Sequence, residues 1–207
     1  MTQQRCFTTI GFACALALAA TAAHAAEPQA SAALARALAG NGRAEATLRY
    51  AVETPAGGER IVHAALALEP PDRARIDVPG SGEKLVARAD GGEWLQPATR
   101  QLVRFGAKQA APALRWWRVL LADDRAARER AVGEGHWILT LLSAGGAPED
   151  SAEVWLDAHG LPVRLVVPAG DPEAEVYRLG GWRFMRAHGE AAFKLPVPKG
   201  FEAVDMD

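Results

Sequence analysis

The sequence predicts a mainly β protein with a few helices, built on one antiparallel sheet. Three observations carry that reading. Beyond about residue 43, short runs of alternating apolar and polar residues recur along the chain; tight Gly, Pro, Asp or Thr turns separate most of them; and only two stretches show helical spacing. Strands joined by turns this short pair antiparallel with their neighbours, because parallel pairing needs long crossovers.

The first 25 residues read as an export signal. Arg5 is their only charge, Ile10 to Ala23 is an apolar run rich in Ala and Leu, and Ala23-His24-Ala25 has the A-x-A form of a cleavage site. The run is short for a membrane span. Both cysteines, Cys6 and Cys14, would leave with the signal, and Cys14 has too much apolar sequence after it to carry a lipid. The expected mature chain starts at Ala26 and has no thiol or disulfide chemistry available to it. Residues 26–207 are long enough for a single domain with a sizeable core. Without Arg5 the formal charge moves from −2 to −3, with 22 basic and 25 acidic residues, which gives no reason to expect nucleic acid or an anionic membrane as main partner. The arginines are scattered among acids along the chain.

The first helix has Pro28 near its start and Leu34, Ala35 and Leu38 on one face, and Gly40-Asn41-Gly42 ends it. The period then changes to two: Ala46, Leu48, Tyr50 and Val52 alternate with Glu45, Thr47 and Arg49. Thr54 to Gly58 supplies a turn, and Arg60 to Leu68 returns as the second strand of a hairpin. Further strands are expected at Arg73 to Val78, Lys84 to Ala89, Glu93 to Gln96 and Gln101 to Phe105. A second helix is expected from Ala111 to Asp124, with Pro112 in its first turn. Leu114, Trp117 and Leu121 form one of its stripes, and Ala113, Trp116 and Leu120 the next. Strands resume at Ala126 to Val132, His136 to Leu142, Ala152 to Asp157, Leu161 to Val167, Glu175 to Leu179, Trp182 to Ala187 and Phe193 to Leu195. Asp157-Ala158-His159-Gly160 and His188-Gly189 have the composition of hairpin turns.

Residues able to do chemistry do not converge. Ser81 lies in Gly80-Ser81-Gly82, outside the G-x-S-x-G frame of a nucleophile elbow, and Ser31, Ser143 and Ser151 read as helix-start or loop residues. Gly80 to Lys84 lacks the spacing of a phosphate loop. His63, His136, His159 and His188 have no second ligand at metal spacing, and Asp123-Asp124 reads as a solvated helix end. The expectation is a protein that is not an enzyme and needs no cofactor or metal. A sheet of ten or more strands encloses more volume than two helices fill, so its interior is either closed by side chains or open to an apolar ligand. Tyr50, Trp94, Trp116, Trp117, Trp137, Trp155 and Trp182 are the large side chains that could line it.

Two stretches carry a resemblance. Pro71-Asp72-Arg73-Ala74-Arg75-Ile76-Asp77, then Lys84-Leu85-Val86-Ala87 and Asp90-Gly91-Gly92-Glu93-Trp94, are matched later in order by Glu153-Val154-Trp155-Leu156-Asp157, Leu161-Pro162 and Phe193-Lys194-Leu195-Pro196-Val197-Pro198-Lys199-Gly200-Phe201. This succession resembles the periplasmic outer-membrane lipoprotein carrier (LolA-like) family, with its Pro-x-x-Phe-Arg strand, Asp-Gly turn and closing Pro-Lys-Gly turn. The resemblance spans the mature chain. It departs from the pattern at Ala74, which replaces the Phe, and at Glu69-Pro70-Pro71, where a basic residue precedes the proline in the family.

The resemblance implies an incomplete antiparallel β-barrel of about eleven strands, lidded by the N-terminal helix and the mid-chain helix. It also implies a periplasmic carrier that binds acyl chains of lipoproteins or lipids and escorts them towards the outer membrane. The cavity contacts it implies are Leu48, Tyr50, Leu66, Ile76, Trp94 and Phe105 from the sheet, with Leu34, Leu38, Leu114, Trp117 and Leu121 from the lid. Arg75 matches the arginine that latches the lid in such carriers; its alternative is an outward-facing strand residue, since Ile76 and Val78 point the other way. Implied partners are an acylated lipoprotein or lipid, an inner-membrane donor complex and an outer-membrane acceptor, with the carrier a monomer. A lipid-sensing or interaction module without transport is the alternative function, and an unrecognised lipid-modifying hydrolase a third.

Overall fold

In the computed structural model the described residues are 30, 32–53, 58–107, 127–142 and 148–206. The expected signal, the expected mid-chain helix with Leu114, Trp116, Trp117 and Leu121, the residues Thr54 to Gly57 of the first turn, and Ser31 and Ser143 lie outside them.

Helix α1 runs over Ala32–Asn41 and buries Leu34 and Leu38, which stand four residues apart on one stripe. Gly42 follows at φ 92°, the left-handed conformation that ends a helix most easily at glycine. Twelve strands then form one sheet: β1 (Gly42–Glu53), β2 (Glu59–Glu69), β3 (Arg73–Val78), β4 (Glu83–Arg88), β5 (Gly91–Gln96), β6 (Gln101–Gly106), β7 (Ala127–Gly133), β8 (His136–Leu142), β9 (Pro148–Leu156), β10 (Pro162–Val167), β11 (Glu175–Arg186) and β12 (Glu202–Met206). Their order is β12-β6-β5-β4-β3-β2-β1-β11-β10-β9-β8-β7. The sheet is large, open and antiparallel, consistent with an incomplete barrel; its β12–β6 pair runs parallel.

The details differ from expectation in three places. Glu175 to Ala187, expected as two strands, is largely one strand, because Gly180 and Gly181 carry a bulge rather than a break: Glu45 faces Arg183 while Thr47 already faces Gly180, and Gly181 sits at φ 62°. Phe193 to Leu195 is not a strand; a 3-10 turn spans Glu190–Phe193, and the chain then runs on to β12, the twelfth strand. His188-Gly189 is no hairpin turn, for its amides are taken up by a carboxylate described below. The Asp157 turn does form, with Asp157 Oδ1 accepting from the His159 and Leu161 amides and Gly160 at φ 76°.

Strand alternation divides the sheet into two chemically distinct faces. The face that α1 covers, here the inner face, carries Ala44, Ala46 and Leu48 of β1, Ala64, Leu66 and Leu68 of β2, Ala74 and Ile76 of β3, and Leu139, Val154, Leu165 and Leu179 from β8 to β11, all in one buried cluster with Leu34 and Leu38. Burying a leucine of this kind contributes roughly 1.5–3 kcal/mol. The outer face carries most of the sheet's arginines and carboxylates.

Candidate functional site

The inner face is an apolar wall that crosses the sheet from β6 to β8. One register row runs Ala46, Leu66, Ile76, Leu85, Trp94 and Val103, and the next runs Ala44, Leu68, Ala74, Ala87, Gly92 and Phe105. Leu34, Leu38, Leu48, Leu66 and Ile76 lie together in the buried cluster, and Tyr50 and Phe105 pack against it half-buried. Trp94 shares the face but is 39% exposed, so it offers apolar surface to solvent at the β5 end. Gly92 makes room for this arrangement: a Cβ there would stand 2.5 Å from Cζ of Phe105 and 2.3 Å from the Val86 carbonyl oxygen, so glycine lets the aromatic ring approach the neighbouring backbone.

At the other end of the wall Tyr50 and Tyr177 face each other with ring centroids 5.6 Å apart. Burial, foremost, raises both phenol pKa values above the ordinary range, and the Tyr177 hydroxyl also donates to Glu175. Burial thus disfavours the charged form of both phenols. Glu83, Arg60 and Glu175 supply charge near Tyr50.

Of the other large aromatics, Trp137 is buried on the inner face, and Trp182 packs against the cluster while its indole N–H donates to the Pro162 carbonyl. Trp155 does not line the interior. Val154 points inward, so period-two geometry sends Trp155 to the outer face, where His136 stacks on it at 4.2 Å and Arg164 lies over it at 4.2 Å. Leu139, Val154, Leu165, Tyr177 and Leu179 belong to the same wall and were not named from sequence. Extending the alternation rule to the C-terminal strands would have found them.

Arg75 stands on the outer face, one register step from Ala67 and Val86. Its guanidinium binds Asp77 at 2.9 Å and donates to the Ala192 carbonyl at 2.7 Å. The carbonyl it holds therefore belongs to the C-terminal 3-10 turn. Arg88 does the same for the Phe193 carbonyl at 2.7 Å, and Glu93 accepts from the Leu195 amide at 2.6 Å. Glu69, fully buried, accepts from Arg43 at 3.0 Å and from the amides of His188 and Gly189 at 2.7 and 3.2 Å. Phe193, also fully buried, sits with the Arg43 and Arg73 guanidinium carbons each 5.7 Å from its ring centre. Leu195 closes a second, smaller core with Val86 and Leu102. Residues 187–201 thus form a strap across the outer face of β2 to β6, ending in β12.

No family profile and no curated protein sequence matches the chain. Solved structures do. A LolA superfamily protein from Nitrosomonas europaea is 10% identical and superposes with a TM-score of 0.50, covering 81% of this chain and 98% of its own. An uncharacterized conserved protein from Thermus thermophilus is 20% identical at a TM-score of 0.48 over 84% of this chain and 97% of its own, and a DUF1329 family protein from Desulfovibrio piger is 13% identical at 0.49 over 80% and 95%. At such identities a likeness speaks to architecture, and the first of these carries it. The open twelve-stranded sheet with a helix on its apolar face has the LolA-like fold.

Proposed function

We propose that this protein is a periplasmic carrier that takes acyl chains of lipoproteins or lipids onto the inner face of its sheet and escorts them towards the outer membrane. The observation that carries the reading is the continuity of that face. From β3 to β6 the half-buried Val78, Leu85 and Phe105 and the exposed Trp94 form an apolar stretch of that face, with the half-buried Glu83, Gln96 and Gln101 along one margin, so the wall presents more greasy surface than its own side chains cover. An acyl chain laid there would gain about 0.8 kcal/mol per methylene withdrawn from water. Such a gain is large for a long chain, so a carrier that must later release its cargo needs a partner or a conformational cost to balance it. Binding and release involve no covalent step, and the reading is non-enzymatic.

Native mass spectrometry of the protein exported in its own host tests the proposal. A bound acyl mass is expected, together with binding of a fluorescent long-chain fatty acid that falls at least tenfold in Trp94→Asp, a substitution at an exposed position that leaves the buried cluster intact. A ligand-free mass together with no uptake of the probe would overturn it. Delivery of the bound lipid to an outer-membrane acceptor separates a carrier from a sensing module, and turnover of an ester substrate would indicate a hydrolase instead.

A further inference from the structure

On the outer face, away from the strap, strand register sets three arginines side by side. Arg49 of β1 faces Arg178 of β11, and Arg178 faces Arg164 of β10; His63 of β2 extends the row beyond Arg49, and Trp155 and His136 continue it beyond Arg164. Directly opposed like charges repel, with antiparallel partners about 4.5–5.5 Å apart at Cα, so a sheet places them together only at a cost.

Among the described residues no carboxylate offsets that cost. The side chains that could neutralise a strand residue stand two positions away on the same face, and here they are Thr47, Ala51, Gly180, Val176 and Val166. None carries a charge. Glu153 is the nearest acid by register, and His136 engages it at 3.0 Å. Among the described residues, Arg49, Arg178 and Arg164 have no carboxylate within ion-pair distance, and Arg164 Nε is buried without a hydrogen-bond partner. Stacking on Trp155, itself stacked on His136, fixes the plane of the Arg164 fork. Arg49 and Arg178 are exposed, and beside the row Thr47, Ala65 and Gly181 help line a separate cleft of about 370 Å³ whose charged lining is Arg43, Glu45, Asp77 and Arg183.

We propose that this arginine row is a binding site for a phosphoryl group. A carboxylate offers two oxygens in one plane and suits a single guanidinium fork, whereas a phosphate monoester brings about −1.5 to −2 charge and three oxygens that can accept from neighbouring forks at once. The site lies on the face opposite the acyl wall and is independent of the carrier reading.

Two ligand sources share this chemistry, and both are to be tried on the full mature protein at physiological salt: inorganic phosphate, by calorimetry, and vesicles containing phosphatidic acid against vesicles of phosphatidylcholine, by cosedimentation. Binding in either arm is expected, weakened at least tenfold by Arg178→Gln and by Arg49→Gln and less than twofold by Arg183→Gln, whose parent arginine already pairs with Glu45. Phosphate that binds and competes with vesicles identifies a free-oxyanion site, and vesicle binding alone identifies a lipid headgroup. No binding in either arm, or an equal loss in Arg183→Gln, overturns the proposal. Circular dichroism of each variant separates lost binding from lost fold.

Discussion

The two halves of the outer face hold the same residue type in opposite circumstances. Under the strap, Arg43, Arg73, Arg75 and Arg88 each have a carboxylate within 4.0 Å, and Arg73, Arg75 and Arg88 each also hold a backbone carbonyl. Across β1, β11 and β10, Arg49, Arg178 and Arg164 have no such partners among the described residues. Arginine count says nothing about role; the partner set does. A paired, desolvated arginine holds the fold together and costs much to orphan, whereas an unpaired, exposed one is available to something outside the chain.

That contrast can be broken most sharply at Glu69. Glu69→Ala removes one of the two carboxylates paired with the buried Arg43, Glu45 remaining, leaves the half-buried Arg73 short of a counter-charge and frees two strap amides, and is expected to cost about 3–5 kcal/mol in a urea melt. Phe193→Ala removes the fully buried ring between two guanidinium groups; a loss of about 3 kcal/mol is expected, with faster proteolysis around residues 187–201 if the strap lifts as a unit. Arg75→Gln should cost less, about 1–2 kcal/mol, because it forfeits one charge-assisted bond to Ala192 at a partly exposed position. Arg178→Gln should have the smallest effect and the reverse sign: relief of like-charge opposition is expected to raise stability by about 0.2–1 kcal/mol at low salt, with the gain shrinking as salt is added. A destabilised Arg178→Gln would mean that the row is paired after all, and the difference between the two halves would vanish.

Much of the inner face could be read from the chain. Leu48, Leu66 and Ile76 fall on it because period-two alternation assigns a face whatever the partner strand, and Leu34 and Leu38 meet it because a four-residue spacing gives a helix one side. The same rule would have placed Trp155 outward, had the neighbouring Val154 and Leu156 been weighed above the size of the indole. The strap was harder to read. Phe193, Lys194 and Leu195 look like strand residues in isolation, and nothing local reveals that Glu69, more than a hundred residues earlier, takes up the amides of His188 and Gly189. Arg75 matched a family motif in sequence, yet its alternation with Ile76 was the more telling signal of which side of the sheet it occupies.

By itself the sequence determined most of the strands from β1 to β10, the turns between them and which side of those strands is greasy, because these follow from backbone periodicity and turn chemistry within a few residues. Which strands lie beside which was decided only by the tertiary structure. Residues 49, 164 and 178, scattered along the chain among acids, become neighbours because β11 pairs with β1 on one side and β10 on the other. Register is a long-range property, set by hydrophobic faces that must all turn to the same side, and the charges on the opposite face take whatever neighbours that requirement leaves them.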